Sequence, residues 1–342
     1  MPTPANASQF YAAVQAAKGT AAASGYIAGL MQQSSLNPVF DMPTKDPEHG
    51  AGTSTARTTA RKSATNRGSY LATGSARSVM YPSMIGAMLT GAGFLATSAG
   101  TTEKTHTFKI ANRTAHKWLT IWSQIGGLNR QTVDARLSKL TVEATQDTIR
   151  YTAEMRGLTY TTGVAAPASP TAETNIEMIP TIGSLALELW PDDTPLAIVT
   201  APTNTIQRLT LDIANPLDEE DRSLFRLGRA DLPQTGLDVT GTIEGIDLTL
   251  AQYQAITNGT AIATTPTSNA QIASLTFTLE SAQFITGIIP YSFEVTIPHV
   301  EITAQDFTAE GTDLIRWSLD YKMIDDVTDP ITIVLVNSIA AY

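Results

Sequence analysis

The 342-residue chain has no cysteine. That excludes a disulfide framework, a zinc-thiolate site and a cysteine nucleophile, and it leaves the redox compartment open. Charge is also scarce, at 16% of residues. Thr, Ala, Ser and Gly fill the difference, a composition suited to β-rich proteins with uncharged polar surface. Long apolar runs are missing. The most apolar stretch, MIGAMLTGAGFLATSAG (84–100), is too short and too rich in Gly, Thr and Ser to span a membrane. It reads as a buried helix followed by a turn. The opening MPTPANASQFYAAVQ has neither a basic region nor a continuous apolar one, so no signal peptide is expected.

Catalytic signatures are absent as well: there is no G-x-S-x-G elbow, Walker loop or Rossmann fingerprint. None of His49, His106, His116 and His299 has metal-ligand spacing. His49 lies beside Glu48 in a polar stretch, where a solvated histidine is the simpler reading. His106 and His299 fall in alternating stretches and read as structural. The acidic WPDD (190–193) stands alone, and LDEEDR (217–222) lacks the ladder of a calcium loop and reads as a charged turn. No catalytic residue, metal site or cofactor is expected. Leu232-Pro-Gln-Thr-Gly236 has the form of a sortase signal, but more than a hundred residues follow it instead of an apolar segment and basic tail. It reads as a turn built by Pro233 and Gly236, leading into a strand.

What is present is polarity and repetition. The net charge of −10 divides unevenly. Residues 1–171 hold 16 basic and 8 acidic side chains, and residues 172–342 hold 6 and 24. Halves of opposite sign steer head-to-tail contact between copies, although drift of surface charge explains the division equally well. Overall acidity argues against a phosphate-gripping DNA binder.

Thr73-Gly74 aligns with Thr240-Gly241 at an offset of 167, each strand-like stretch leading to a helix-like one closed by Gly91 or by Asn258-Gly259. Ile149–Glu154 aligns with Ile315–Asp320 at 166, both alternating strictly. The match extends back from there, setting Leu140 on Val300 across a hairpin loop longer in the later copy, and VFDMPTKDPE (39–48) sets a weaker third pair on TLDIANPLDEE (210–220). These matches predict two antiparallel β-barrel or sandwich domains, each with one short helix: 1–160 with an N-terminal arm and a long polar loop at 44–68, a linker at 161–176, and 177–342 with a C-terminal arm.

The order of motifs resembles the tail tube (major tail) proteins of long, non-contractile-tailed bacteriophages. AAVQAAKGTAAA (12–23), ATGSARS (72–78), SMIGAMLTGAG (83–93), HTFKI (106–110), WLTIW (118–122), KLTVE (139–143) and IRYTAEMRG (149–157) carry the likeness in the first half. NTIQRLTLDIANPL (204–217) and GLDVTGTIEG (236–245) carry it in the second. The resemblance implies a virion structural protein, made in the host bacterial cytoplasm, whose copies form stacked rings around a DNA channel. Its partners would be itself and the tape measure, tail terminator and tail tip proteins, with no membrane. Two units per chain imply a trimer with pseudo-sixfold symmetry. DNA must slide without sticking, so a channel wall should be poor in Lys and Arg and carry some carboxylates. Glu143, Glu154, Glu244, Glu301 and Asp320 are the lumen candidates. Arg57, Arg61, Lys62 and Arg67 in the long loop are ring-stacking candidates, together with the stretches 1–24 and 324–342. The alternative is a β-sandwich adhesin or carbohydrate-binding module, which would present exposed aromatic platforms. Trp118, Trp122 and Trp317 lie in strand-like patterns instead, leaving Trp190 as the one loop tryptophan.

Overall fold

A computed structural model describes residues 9–40, 69–112, 114–173, 176–189, 196–201, 206–219, 229–266, 271–304 and 317–342. The chain is mainly β, as its alternating patterns predict. In order it forms β1 (Gln9–Val14), β2 (Ile27–Gly29), β3 (Gln33–Phe40), β4 (Tyr70–Val79), α1 (Met84–Gly91), β5 (Phe94–Ala99), β6 (Lys104–Ile110), β7 (Leu119–Ile125), β8 (Leu128–Thr145) and β9 (Ile149–Thr162). The second half adds β10 (Ile179–Leu189), β11 (Leu196–Ala201), β12 (Arg208–Ala214), β13 (Asp238–Ile246), α2 (Leu250–Asn258), β14 (Ile272–Thr286), β15 (Ile289–Ala304), β16 (Trp317–Met323) and β17 (Thr332–Asn337).

Eight strands, four from each half, form one antiparallel run in the order β3-β4-β9-β8-β12-β13-β16-β15. The halves join where β8 pairs with β12, from Thr145 opposite Arg208 to Lys139 opposite Ala214. They join again where β17 pairs with both β15 and β6. β8 changes partner along its length, pairing with β7 as far as Ala135 and with β12 from Lys139. Near that change Asp134 adopts φ 55° and its carboxylate accepts the Gly19 N–H at 2.7 Å. A left-handed residue bends the strand there.

One face of the run is apolar. Leu140, Val142, Tyr151, Ala153, Met155, Leu211, Ile213, Val239, Ile243, Leu319 and Tyr321 alternate inward and join a core cluster that spans both halves.

The repeat offsets hold in the registers. Gly74 stands opposite Met155, and Gly241 opposite Tyr321. A Cβ on Gly74 would lie 1.8 Å from the Ser35 carbonyl oxygen, and one on Gly241 2.1 Å from that of Thr210. Both glycines therefore mark a close backbone approach to the preceding strand. The outer strands slip by four residues. Leu36 faces Gly74 as Leu211 faces Gly241, whereas the weaker alignment set Val39 on Thr210. Likewise Ala304 faces Leu319 where Leu140 faces Ala153, so Leu140 corresponds to Ala304, not Val300. Connection lengths between strands vary freely, and an even slip leaves every side chain on its face.

Three further expectations change. Gly91 does not close α1 in a left-handed conformation. It lies inside the helix, where a Cβ would meet Leu119 and Leu137 at 2.5 and 2.7 Å, and the positive φ falls at Gly93. Leu232–Gly236 is not a turn: Thr235 donates to the Pro216 carbonyl and Asp218 to that of Pro233, an extended pairing. Leu232 is buried with Leu71, Trp118 and Leu158, which is why the segment lies flat. The stretch 324–342 is no arm either, since it forms β17 and buries Ile331, Ile333, Leu335 and Ile339. No helix among the described residues is long and apolar enough to cross a membrane.

Candidate functional site

The outward face of the eight-strand run is polar and continuous across the halves. Register places Arg150, Glu143, Thr210, Thr242, Asp320 and Thr303 in one row on successive strands. The next row holds Thr152, Thr141, Asp212, Thr240, Lys322 and Glu301. Glu154 and Lys139 stand opposite each other one step further, and Glu244 lies one step the other way, opposite Arg208. Glu143, Glu154, Glu244, Glu301 and Asp320 therefore share one face. Period-two alternation produces this, because their neighbours Val142, Ala153, Ile243, Ile302 and Leu319 are buried.

Sequence reasoning missed the cations among these carboxylates. Arg208 spans the seam between the halves, with Nη2 2.8 Å from Glu143 Oε1 and Nη1 3.1 Å from Glu244 Oε1. Partial desolvation opposes its charge, but the bonds to the two carboxylates outweigh that and raise its pKa. Lys139 pairs with Asp212 at 3.3 Å, and Thr141 also donates to Asp212. Thr242 donates to Asp320 at 2.9 Å. A shallow depression runs over Asp212, Thr240, Glu301, Thr303, Asp320 and Lys322. The alternating QRLTLD stretch could have placed Arg208 on the carboxylate face, but nothing local indicates that β12 pairs with β8.

The face is two-signed. Strands β4, β8 and β9 present Arg77, Lys139, Arg150 and Arg156 against Glu143 and Glu154, while β12, β13, β15 and β16 present Asp212, Asp238, Glu244, Glu301 and Asp320 against Arg208 and Lys322. Basic groups are few on the strands of the second half alone. Several of these cations are engaged locally, Arg156 by Glu219 at 2.7 Å.

At one end of the face the buried Leu232 segment closes over the sheet. Arg136 donates to the Leu232 carbonyl at 2.7 Å and lies 3.7 Å from the Trp118 ring centre, with Lys18 on that ring at 5.2 Å. Burial lowers the Arg136 guanidinium to about 10, against the pull of Asp231 and Asp134. Burial alone would raise Asp231, but Lys18 at 2.7 Å and the Leu232 N–H hold it below its usual value.

Trp118 and Trp122 are buried, and Trp317 packs on Tyr253 at 4.7 Å. They offer no exposed platform for a sugar. His106 is buried, with Nδ1 2.7 Å from Ser98 Oγ and Nε2 3.0 Å from Asn337 Oδ1. Among the described residues no cluster of His, Asp and Glu has the arrangement of a metal site. Arg57, Arg61, Lys62, Arg67, His49 and Trp190 lie outside the described residues, as do the stretch 1–8 and the acidic 190–193 and 220–222.

A comparison with curated proteins finds no match. A family model described as phage tail tube protein matches residues 5–316, nearly the whole chain. With its antiparallel β architecture and repeated strand–helix unit, the chain belongs to the phage tail tube protein family, a structural component of the virion tail.

Proposed function

We propose that three copies of this chain close into a ring with pseudo-sixfold symmetry, and that the polar face of the eight-strand run lines the channel through which DNA leaves the virion. The observation that carries this reading is the β8–β12 seam. There the last strand of one four-strand set accepts the first strand of the next within a single chain. The same two edges recur at the ends of the run. Among the described residues β3 pairs only with β4, and the end of β15, beyond Glu301, pairs with β16 and keeps one bond on its other side, from the Ile302 N–H to the Gln271 carbonyl at 3.2 Å. Joining β3 of one copy to that end of β15 in the next repeats the internal seam and removes the exposed edges.

On this reading the units near 1–160 and 177–342 are two copies of one ring segment, and Glu143, Glu154, Glu244, Glu301 and Asp320 face the lumen. Ion pairing lets such a wall tolerate its arginines, because a guanidinium held by two carboxylates has little left for phosphate. Arg57, Arg61, Lys62 and Arg67 belong to the segment joining Phe40 to Tyr70, which face each other across β3 and β4. We assign that segment to ring stacking. The tape measure, terminator and tip proteins are the further partners, met after synthesis in the host cytoplasm.

Electron microscopy of the purified protein, with its mass in solution, tests the reading. Rings of three chains with six similar lobes and a central hole are expected. Monomers at high concentration, or rings of six chains, would overturn it. Deleting residues 50–64 should leave rings and stop tube growth.

A further inference from the structure

The two halves differ in how they support the hairpins β7–β8 and β14–β15. In the first half, β7 is flanked by β1 as far as Gln124 and β8 by β9 as far as Arg130, so support reaches within a few residues of the turn at Gly126-Gly127. In the second half, β10 accompanies β14 only to Glu280, and β17 accompanies β15 only from Ser292. Between the buried Ser281 and Tyr291 the hairpin therefore runs past both neighbours as a two-stranded tip, with Ile285 turned back against the core. Such a ribbon is marginal in water by itself.

This tip is apolar where exposure is greatest: Phe284 is 56% exposed and Ile288 85%, with Ile289 beside them. Among the described residues it reaches the rest of the chain through the Thr286 hydroxyl, which donates to Glu103 on the turn between β5 and β6. A second pair of exposed apolar side chains lies at α2, Leu250 at its first position, 72% exposed, and Ile262 just past its end, 88% exposed. α2 leads into β14 at Ile272, whereas the tip ends β14 at Thr286. A strand of 15 residues at about 3.3 Å each separates the two patches by roughly 45 Å. One copy cannot bring its own patches together.

We propose that the 281–291 tip is a docking arm whose partner is a second copy of this chain, and that it seats on the Leu250 and Ile262 surface beside α2 of that copy. This rests on the tube reading. Patches at opposite ends of a strand give a head-to-tail contact, which leaves an unused arm and an unused seat on every pair and so propagates. An isologous pairing of two tips would stop at two.

Two sets of variants test the contact. Ile288→Asp and Ile262→Asp each alter one exposed side chain, so both should keep the wild-type melting temperature. Each alone should reduce assembled particles by tenfold or more in microscopy and sedimentation. Mixed together, the two should recover one joint, giving paired assemblies that neither forms alone. The native chain has no cysteine, so Ile288→Cys with Ile262→Cys in one chain reads the contact directly: oxidation of assembled protein should give a ladder of linked chains on a denaturing gel. Wild-type tubes from Ile288→Asp, or assembled double-cysteine protein without a ladder, would overturn the docking arm. If the unaltered protein forms no rings or tubes, the tube reading itself fails.

Discussion

The two helices occupy the same place in the repeat, after β4 and after β13, yet they are held by opposite means. All eight residues of α1 are buried, and its own N-terminal Ser83 makes no side-chain cap. Glu173, ninety positions away, caps it instead, with Oε1 3.1 Å from the Ser83 N–H and Oε2 2.9 Å from that of Met84. Near its start Gly86 leaves room for Tyr342, whose hydroxyl donates to the Ser83 carbonyl at 2.7 Å. α2 buries only Ala255 and Ile256 and carries its own ends: a Thr249/Gln252 capping box and Gly259 at φ 90°. One copy of the unit made its helix part of the core, and the other kept it as surface. In the proposed ring of three chains the helices would repeat threefold even where the strands repeat sixfold.

The strand comparison gives the largest expected effects. Gly74→Val and Gly241→Val each press a side chain on neighbouring backbone and should each cost about 3 kcal/mol or more in urea unfolding. If only one does, the equivalence of β4 and β13 is broken. For the helices, Leu89→Ala in α1 should cost about 3 kcal/mol, against less than about 0.5 kcal/mol for the exposed Leu250→Ala. The caps sharpen the contrast. Glu173→Ala leaves two N–H groups at a buried helix end unmet and should cost about 2 kcal/mol, while Thr249→Ala should cost about 1 kcal/mol. A reversed order would mean that α2, not α1, depends on its cap.

The smallest effect is a pH response on the α1 side. Burial, chiefly, lowers the His106 pKa below 6.5, with the Asn337 bond and the Ile339 backbone opposing and Lys104 adding to the shift. The neutral ring accepts from Ser98 and donates to Asn337. The unfolded chain then binds the proton first, so stability is full above about pH 6.5 and falls as pH drops through the folded value. Thermal melts between pH 7.5 and 5 should show this slope in the wild type and a flatter one in His106→Gln.

Much of the fold was legible because alternation is robust. The slip of four residues in the outer strands misplaced Val39 and Leu140 along the strand but left each on its face. For the same reason the five carboxylates proved coplanar although no local signal said which strands adjoin. The capping box at Thr249 went unread, although both partners lie within one turn. Glu173 could not be read, since a cap supplied from the segment between the halves has no sequence spacing to recognise. Leu232–Gly236 misled because Pro and Gly usually mark turns, and only its burial against Trp118 and Leu158 keeps it extended. The basic residues on the carboxylate face were visible one by one, but Arg208 matters through the β8–β12 seam, a contact between residues about sixty positions apart.

That seam bears on how assembly responds to dilution. Within one chain its formation requires closing a loop, a cost that grows only slowly with loop length. A joint between separate chains loses translational and rotational freedom as well, about 4–15 kcal/mol at the 1 M standard state. Arg208, Glu143 and Glu244 thus meet at a junction that protein concentration cannot open. Diluting any ring built from these copies parts it between chains and leaves each internal pair of segments already locked in register.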